Sequence, residues 1–353
     1  MRWIAVKNLY IMGTGGSGKT AMALGLALKF RQQGYRVAYF KPVSNNPGSA
    51  GKLDEDAALM KQVLNLEQPI EFIAPCNAGP SYLSGIPAGQ YAMRLREAYS
   101  RMAAGADVLI IGGAGYPHVM TSYGLDAATL AREFNAATLF MIRIDNDFSL
   151  DKAVFYNHYL RLNSVRVAGN IFNNVPRPLL AKTEGIYRTL LEQHGLRTLG
   201  IIPVRPEIAF PTVSEYFETI GGEILTGSEN MHLPVEEVVV GAMTIEGALG
   251  YLRRAPNKAF ITGGDRADLA LAALETSTSV LILTGGLYPD VKVLARASEK
   301  GVPVILVYQD TYTTIERINI LSRHIRPGDT AIIGAAMENV ERYCDWNTIL
   351  NSL

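Results

Sequence analysis

The chain has few cysteines, no net charge and no long hydrophobic run. Cys76 and Cys344 are the only cysteines among its 353 residues, and this low usage favours a reducing compartment, so we expect a cytoplasmic protein. The 33 basic residues balance the 33 acidic ones, which argues against a nucleic acid or an acidic membrane as a partner. The apolar N-terminal run is too short for a membrane span, and we interpret it as a buried strand.

Hydrophobic residues make up 48% of the chain and charged residues 19%, a composition typical of folded globular proteins. Short apolar segments without polar alternation are separated by amphipathic segments. This pattern predicts an α/β fold in which helices cover a parallel sheet on both faces. The length allows two domains, each with its own core.

A glycine-rich polar break near residues 221–230 separates two such βα series, and it predicts domains at residues 1–225 and 226–353. The predicted strands are Leu9–Met12, Val37–Phe40, Val108–Ile111, Thr138–Ile144, Val167–Phe172 and Leu199–Ile202, then Val238–Val240, Ala259–Thr262, Val280–Leu283, Val304–Val307 and Ala331–Ile333. The predicted helices are Lys19–Gln33, Asp56–Leu64, Ala88–Ala103, Asp126–Phe134, Leu150–Leu160 and Pro178–His194, then Ile245–Leu252, Ala267–Leu274, Val291–Lys300 and Thr314–Arg323.

Residues 13–20 have the spacing of a phosphate-binding loop, between a predicted strand and a predicted helix. The loop consists of Gly13, Thr14, Gly15, Gly16, Ser17, Gly18, Lys19 and Thr20. Glycines let backbone amides turn toward phosphate oxygens, while Lys19 supplies a positive charge and Thr20 a hydroxyl for Mg²⁺. The sequence therefore predicts binding of ATP, or another nucleoside triphosphate, together with Mg²⁺.

The first half resembles dethiobiotin synthetases. Its Gly15-Gly16 pair is shared with the MinD branch of P-loop NTPases, but Thr14 stands where that branch has a lysine. The segment Tyr39–Val43 is similar to a segment of dethiobiotin synthetases whose lysine contacts phosphate and the reaction intermediate, so the resemblance implies a catalytic role for Lys41. It also implies a substrate loop at Asn77–Ser81.

Two further roles are implied by the same resemblance. Asp56 corresponds to an aspartate that helps to hold Mg²⁺, although Asp56 could simply be a helix-start carboxylate and Asp54 competes for the same role. Asn173 corresponds to an asparagine that contacts the nucleotide base. Asn173 or Asn174 could instead end the strand as a turn former.

The chain departs from dethiobiotin synthetases at Gly112, where that family has a glutamate at the end of the central strand. Gly112 keeps the glycine-rich turn but lacks the carboxylate that completes the metal site. Mg²⁺ could still bind through Thr20, Asp56, water and nucleotide phosphates. We therefore expect slow or absent phosphoryl transfer.

The second half resembles the DRTGG domain through Gly264-Asp265-Arg266-Ala267-Asp268. A dethiobiotin-synthetase-like domain followed by a DRTGG domain resembles the N-terminal regulatory half of long bacterial phosphate acetyltransferases. In those enzymes the catalytic domain would follow residue 353, so we expect no acetyl transfer by this chain alone.

Three predicted strands of the second half end in polar or glycine-rich turns. In a parallel sheet these turns share one edge, where such sheets bind ligands. The candidate residues for a second small ligand are Asp265, Arg266, Gly285, Gly286, Asp310 and Thr311. The alternative is that Asp265 and Arg266 form an ion pair that caps the next helix.

Our main functional hypothesis is a nucleotide-binding regulator or sensor that acts on a partner enzyme of acyl-phosphate or acyl-CoA metabolism. The resemblance to dethiobiotin synthetases also implies a homodimer. A second hypothesis is an ATP-dependent ligase that phosphorylates a carboxylate or carbamate and closes a ring. A third is an assembly protein without nucleotide binding, which would leave the intact Lys19 and Thr20 unexplained.

Overall fold

The computed structural model describes residues 6–44, 54–79, 81–84, 87–319, 321 and 325–353. Pro80 of the predicted substrate loop and Ile320, Ser322 and Arg323 of the last predicted helix lie outside the described residues.

Strands and helices alternate along most of the described chain. The strands are β1 Lys7–Gly13, β2 Val37–Phe40, β3 Val43–Ser44, β4 Cys76–Asn77, β5 Val108–Gly112, β6 Ala137–Arg143, β7 Arg166–Val175, β8 Thr198–Pro203, β9 Glu223–Thr226, β10 Glu237–Val240, β11 Lys258–Gly263, β12 Thr278–Thr284 and β13 Val304–Leu306. The helices are α1 Lys19–Gln32, α2 Glu55–Val63, α3 Ile70–Ile73, α4 Ala88–Ala103, α5 Ala127–Glu133, α6 Phe148–Leu162, α7 Leu180–Lys182, α8 Arg188–Gln193, α9 Pro206–Ala209, α10 Val213–Ile220, α11 Ile245–Arg254, α12 Ala267–Leu274, α13 Val291–Lys300, α14 Thr311–Asn319, α15 Thr330–Tyr343 and α16 Trp346–Asn351. A π-helical turn, Thr183–Tyr187, joins α7 to α8.

The chain divides into two compact units, Met1–Arg205 with Ile325–Leu353, and Pro206–His324. The first unit contains a six-stranded sheet in the order β2-β5-β1-β6-β7-β8, with every neighbouring pair parallel. The central strands carry almost unbroken apolar runs and are buried along their length, as expected when helices cover both faces of a sheet. The predicted fold class is confirmed.

The C-terminal helices of the first unit pack against α1. A Cβ atom on Gly25 would lie 2.5 Å from the Ala336 carbonyl oxygen, so only glycine permits this close helix crossing. Lys29 of α1 pairs with Glu341 at 2.8 Å and lies over the Trp346 ring. These contacts attach the last residues of the chain to the helix that begins at Lys19.

The predicted strand at Ala331–Ile333 is wrong, because these residues lie in α15. A run of three apolar residues resembles a short buried strand. However, Ile332, Ala336 and Val340 recur at a helical spacing of four, and Ala336 and Val340 are buried on the side that meets α1. This segment belongs to the first unit, whereas the sequence placed it in the second domain.

The second unit contains a five-stranded sheet in the order β10-β11-β12-β13-β9. Its first four strands are parallel, and β9 runs antiparallel to β13. Strand β9 was not predicted, because it lies inside the glycine-rich segment that we interpreted as a break between domains. The glycines of that segment end α10, and the paired strand β9 follows directly. The predicted boundary near residue 225 therefore falls within this sheet, and the units meet in the chain at residues 205 and 206.

Across the described ranges, no helix is both long enough and apolar enough to span a bilayer.

Candidate phosphate-binding site

The predicted phosphate-binding loop connects β1 to α1 at the carboxyl end of the first sheet. Gly18 has a φ of 81° and lies directly before the first residue of α1, a left-handed conformation that favours glycine. Gly15 and Gly16 are exposed, and within the described part of the chain their amides donate to no backbone carbonyl. Exposed amides next to a helix N-terminus form the arrangement that binds phosphate oxygens.

The Lys19 ammonium lies over this loop and is held by neutral groups. It donates to the Thr14 carbonyl oxygen at 2.8 Å and to the Gly115 carbonyl oxygen at 3.4 Å. Burial lowers the pKa of Lys19 to about 8, while the nearby Asp56 carboxylate opposes this shift and Lys41 adds to it. A phosphate would stabilise the charged lysine better than two carbonyls do.

Asn173, at the end of β7, braces the loop. Its Nδ2 donates to the Ser17 carbonyl oxygen at 2.9 Å, and a Cβ on Gly18 would lie 2.1 Å from that nitrogen. The side chain is buried, so Asn173 has a positioning role in addition to the predicted contact with a base. Asn174 has a positive φ of 53°, which fits the turn-forming alternative for that residue.

Lys41 bridges the two competing aspartates. Its Nζ lies 2.6 Å from Asp56 Oδ2 and 2.8 Å from Asp54 Oδ2. Burial alone would lower the pKa of Lys41, but the two carboxylates raise it well above its usual value. Asp54 also caps α2 through the Ala57 amide and accepts from the Ser44 hydroxyl, so Asp54 has the structural role and Asp56 is the more exposed carboxylate.

The space beside Gly112 is filled by a tyrosine. A Cβ on Gly112 would lie 2.1 Å from the Tyr39 hydroxyl oxygen, and Tyr39 is buried. A longer side chain at residue 112 therefore requires Tyr39 to move. Sequence reasoning did not connect Tyr39 with Gly112, because β2 and β5 become neighbours only in the folded sheet.

Sequence reasoning also missed a basic side chain and a cavity beside the loop. A Cβ on Gly16 would lie 2.9 Å from Arg143 Nη1, so Arg143, at the end of β6, adds a second cation next to the loop. A cavity of about 500 Å³ opens at Thr14 and Gly15. Its other lining residues are Tyr116, His118, Asp145, Asp151, Lys152, Phe155 and Tyr156.

For the cavity residues that lie in loops, the only sequence signal was their place after predicted strands. Tyr116 and His118 follow β5, and Asp145 follows β6. The carboxyl ends of parallel strands meet at one edge, but the strand order that brings these two loops next to β1 is not visible in the sequence.

In the second unit, the structure brings together the three predicted turns. The Gly264 amide donates to the Thr284 carbonyl oxygen at 3.4 Å, and the Gly285 amide donates to the Gln309 carbonyl oxygen at 2.9 Å. The Thr284 and Thr311 hydroxyl oxygens are 2.8 Å apart. The predicted residues thus share one edge of the sheet.

The charged side chains at this edge already bind residues close to them in the sequence. Arg266 pairs with Asp268 through two nitrogens, each at 3.0 Å, and not with Asp265 as the alternative interpretation had it. Asp310 caps α14, accepting from the Thr313 amide at 3.0 Å and from the Thr313 hydroxyl at 2.7 Å. A cavity of about 300 Å³ in this unit lies elsewhere, between β10 and α11.

Within the described ranges, no three His, Cys, Asp or Glu side chains converge on a metal position. A cation bound in the first unit would therefore depend on ligand oxygens as well as on Thr20 and Asp56.

Two family models match the chain and divide it much as the structure does. Residues 7–212 match an AAA domain, and residues 215–321 match a DRTGG domain. The resemblance to a P-loop domain followed by a DRTGG domain is confirmed.

The chain is similar to phosphate acetyltransferases. It is 25% identical over 342 residues to the enzyme of Pseudomonas putida, covering 89% of this chain and 47% of that protein. It is 26% identical over 367 residues to the enzyme of Synechocystis, covering 98% of this chain and 52% of that protein. The chain thus spans about half the length of the curated relatives that it matches.

Proposed function

Because this chain belongs to the AAA domain family, we propose that its first unit binds ATP or a related nucleoside triphosphate and that the chain acts as a regulatory protein. The observation that carries this proposal is the loop at residues 13–20, where exposed amides and Lys19 surround the start of α1. Arg143 supports it, since its guanidinium lies against Gly16. The similarity to phosphate acetyltransferases supports a partner enzyme of acyl-phosphate or acyl-CoA metabolism.

Mg²⁺ would enter this site with the nucleotide. Thr20 offers a hydroxyl and Asp56 a partly exposed carboxylate, a donor set suited to a cation that keeps several waters and binds phosphate oxygens. The cation would neutralise charge on the phosphates. The Lys41 ammonium lies 2.6 Å from Asp56 Oδ2. For Asp56 to bind Mg²⁺ through that oxygen, the ammonium has to leave it, and a nucleotide phosphate is a suitable new partner for Lys41.

The binding proposal is tested by calorimetry with ATP and Mg²⁺. Lys19→Ala should weaken binding by about 1.5–3 kcal/mol, the range for a lost charged hydrogen bond. Lys292→Ala, in the second unit, is the matched control and should bind like the wild type. Thermal unfolding of each protein without nucleotide excludes a folding defect, and equal affinities of wild type and Lys19→Ala would refute the proposal.

The regulatory proposal, as opposed to the ligase alternative, rests on Gly112. Without a carboxylate there, the ground-state phosphates can be bound while the metal is poorly aligned for reaction. Phosphate release should therefore stay slow with carboxylate or diamine substrates. Fast substrate-dependent release by the wild type would instead favour the ligase. Gly112→Glu requires the companion change Tyr39→Ala, because the Tyr39 hydroxyl occupies the space of the new side chain.

We also propose that the protein is a homodimer, as the resemblance to dethiobiotin synthetases implies, with a contact at the C-terminal end of α6. Leu162, the last residue of that helix, is 86% exposed, and a twofold dimer would bury it on both copies. Phe155, two turns earlier, lines the cavity beside the phosphate-binding loop and lies outside this contact. Light scattering should show a dimer for the wild type and a monomer for Leu162→Asp, and a monomeric wild type would contradict this proposal.

We propose that a second small ligand binds at the carboxyl edge of the second unit's sheet. The meeting of three strand ends, two of which carry glycines, supports it. A ligand that used Arg266 would have to displace Asp268 from it.

A further inference from the structure

The cavity at the start of the phosphate-binding loop is rich in aromatic rings. Tyr116 and His118 stack with ring centroids 5.5 Å apart, and His118 and Tyr156 with centroids 6.4 Å apart. The planes differ by only 23° and 11°, and Nδ1 of His118 lies 3.2 Å from the Tyr156 hydroxyl. Phe155 adds a fourth ring that is 68% exposed. Such a surface suits a planar aromatic ligand, because stacking contributes binding energy without requiring a particular set of hydrogen bonds.

The cavity lies at the end of the loop where a terminal phosphate would be. The lysine of such loops reaches the outer phosphates of a nucleotide, and here its ammonium contacts the carbonyls of Thr14 and Gly115. Thr14 lines the cavity, and Gly115 directly precedes Tyr116. Asn173, implied to contact the base, lies at the opposite end of the loop beside Ser17 and Gly18.

These positions place a stacking surface beyond the phosphates, on the side away from the first base. We propose that the first unit binds a dinucleoside polyphosphate, with one nucleoside near Asn173, the phosphate chain on the loop and the second base against Tyr116 and Phe155. This inference rests on the proposed nucleotide binding and adds a second subsite to it.

The rim of the cavity supplies polar groups for the second nucleoside. Lys152 and Asp151 line it and are exposed, while Asp145 pairs with Arg143 at 2.9 Å. A nucleobase edge offers both donors and acceptors, and an ammonium and a carboxylate side by side can serve both. An aliphatic ligand would leave the aromatic rings without stacking.

The test compares two ligands with the same number of phosphates, diadenosine tetraphosphate and adenosine tetraphosphate, by calorimetry in the presence of Mg²⁺. The wild type should bind the first at least about fivefold more tightly, which is the lower limit for one stacked base. Tyr116→Ala should abolish the preference for diadenosine tetraphosphate. Tyr116→Phe, which keeps the ring, should retain the preference, as should the control Tyr251→Ala in the second unit.

Tyr116 lies close to the loop, because its hydroxyl oxygen would be 3.3 Å from a Cβ on Gly15, and its removal could disturb the loop. Phe155→Ala therefore provides a second test, at a residue that does not contact the loop glycines. Equal binding of the two ligands by the wild type overturns the second subsite and leaves the nucleotide proposal standing. A preference that survives both alanine variants overturns it as well. If neither ligand binds, the proposed function itself fails together with this inference.

Discussion

The carboxyl ends of the two sheets carry similar glycine-rich turns, but the charged side chains beside these turns have different partners. In the first unit, Lys19 donates to the neutral carbonyls of Thr14 and Gly115, and Gly15 and Gly16 are exposed, although Arg143 beside the loop is paired with Asp145 at 2.9 Å. In the second unit, Arg266 already has the Asp268 carboxylate and Asp310 already caps a helix. An anion gains more from a cation held by carbonyls than from one already neutralised. The comparison indicates that glycine-rich turns alone do not identify a ligand site, whereas the partners of the nearby charge do.

The largest loss of folding stability should come from substitutions of the buried charges of the first unit. Lys41→Ala would leave the carboxylates of Asp54 and Asp56 without their shared ammonium, and removal of one partner from a buried ion pair costs about 3–5 kcal/mol. Arg266→Ala breaks an exposed pair and should not change stability measurably. Urea unfolding monitored for each variant gives both values.

A matched variant separates charge from packing at the same position. Lys41→Met keeps most of the side-chain volume but leaves the carboxylates unpaired, so it should be nearly as destabilising as Lys41→Ala. A small loss in Lys41→Met alongside a large loss in Lys41→Ala would show that packing, not the ion bridge, stabilises this region.

A smaller effect should come from the glycines of the second edge. A Cβ on Gly264 would lie 1.7 Å from the Leu287 carbonyl oxygen, so Gly264→Ala forces the backbone apart and should destabilise the unit by about 1–3 kcal/mol. Gly285 has a positive φ of 84° and open space around it, so Gly285→Ala should cost only about 1 kcal/mol of backbone strain. Thermal unfolding compares the two, and equal losses would show that Leu287 adjusts freely.

The smallest effect is a pH dependence in the second unit. Lys258 is fully buried and donates to the carbonyls of Ala255 and Ser277. Burial lowers its pKa to about 8, with Glu237 opposing the shift. Above pH 8 the unfolded chain therefore binds more protons than the folded one, and stability should rise with pH by at most about 1.4 kcal/mol per unit.

Below pH 8 this contribution is constant, because Lys258 is then protonated in both states. Unfolding measured between about pH 7.5 and 9.5 should give a smaller slope in Lys258→Met than in the wild type. Burial also lowers the pKa of Lys19 to about 8, which adds a slope of the same sign from the first unit, and burial raises the pKa values of Cys76 and Cys344 to about 12, which adds a slope of the opposite sign. The difference between the two proteins isolates Lys258, and equal slopes would assign the rise to another group.

Local patterns in the sequence predicted most of the architecture. Unbroken apolar runs such as Val37–Phe40 and Val108–Gly112 form strands. A strand that is buried on both faces needs consecutive apolar residues, and such a run is visible within a short segment. The phosphate-binding loop was equally visible. Contacts between distant residues were not: the Tyr39 hydroxyl beside Gly112 and the pairing of β9 with β13 depend on strand order, which no short segment encodes.

The same limit explains the misassigned helix and the missed cavity. Ala331–Ile333 has the composition of a strand, whereas the spacing of Ile332, Ala336 and Val340 and the close contact of Ala336 with Gly25 of α1 favour a helix. Tyr116 and His118 lie in the loop after β5, whereas Tyr156 lies in α6. Because α5 and β6 separate them in the chain, their stacking could not be seen in the sequence.

The return of α15 to α1 has a consequence for how the chain folds during synthesis. The first unit is discontinuous, because its last segment follows the whole of Pro206–His324. At ~10 residues per second, the ribosome needs roughly ten seconds to make that intervening segment. Throughout this time α1 exposes the surface around Gly25 that α15 will cover, and β8 lacks its later neighbour near Gly200. Contacts of such large sequence separation form late and slow the final folding step, so the second unit should reach its native state before the first.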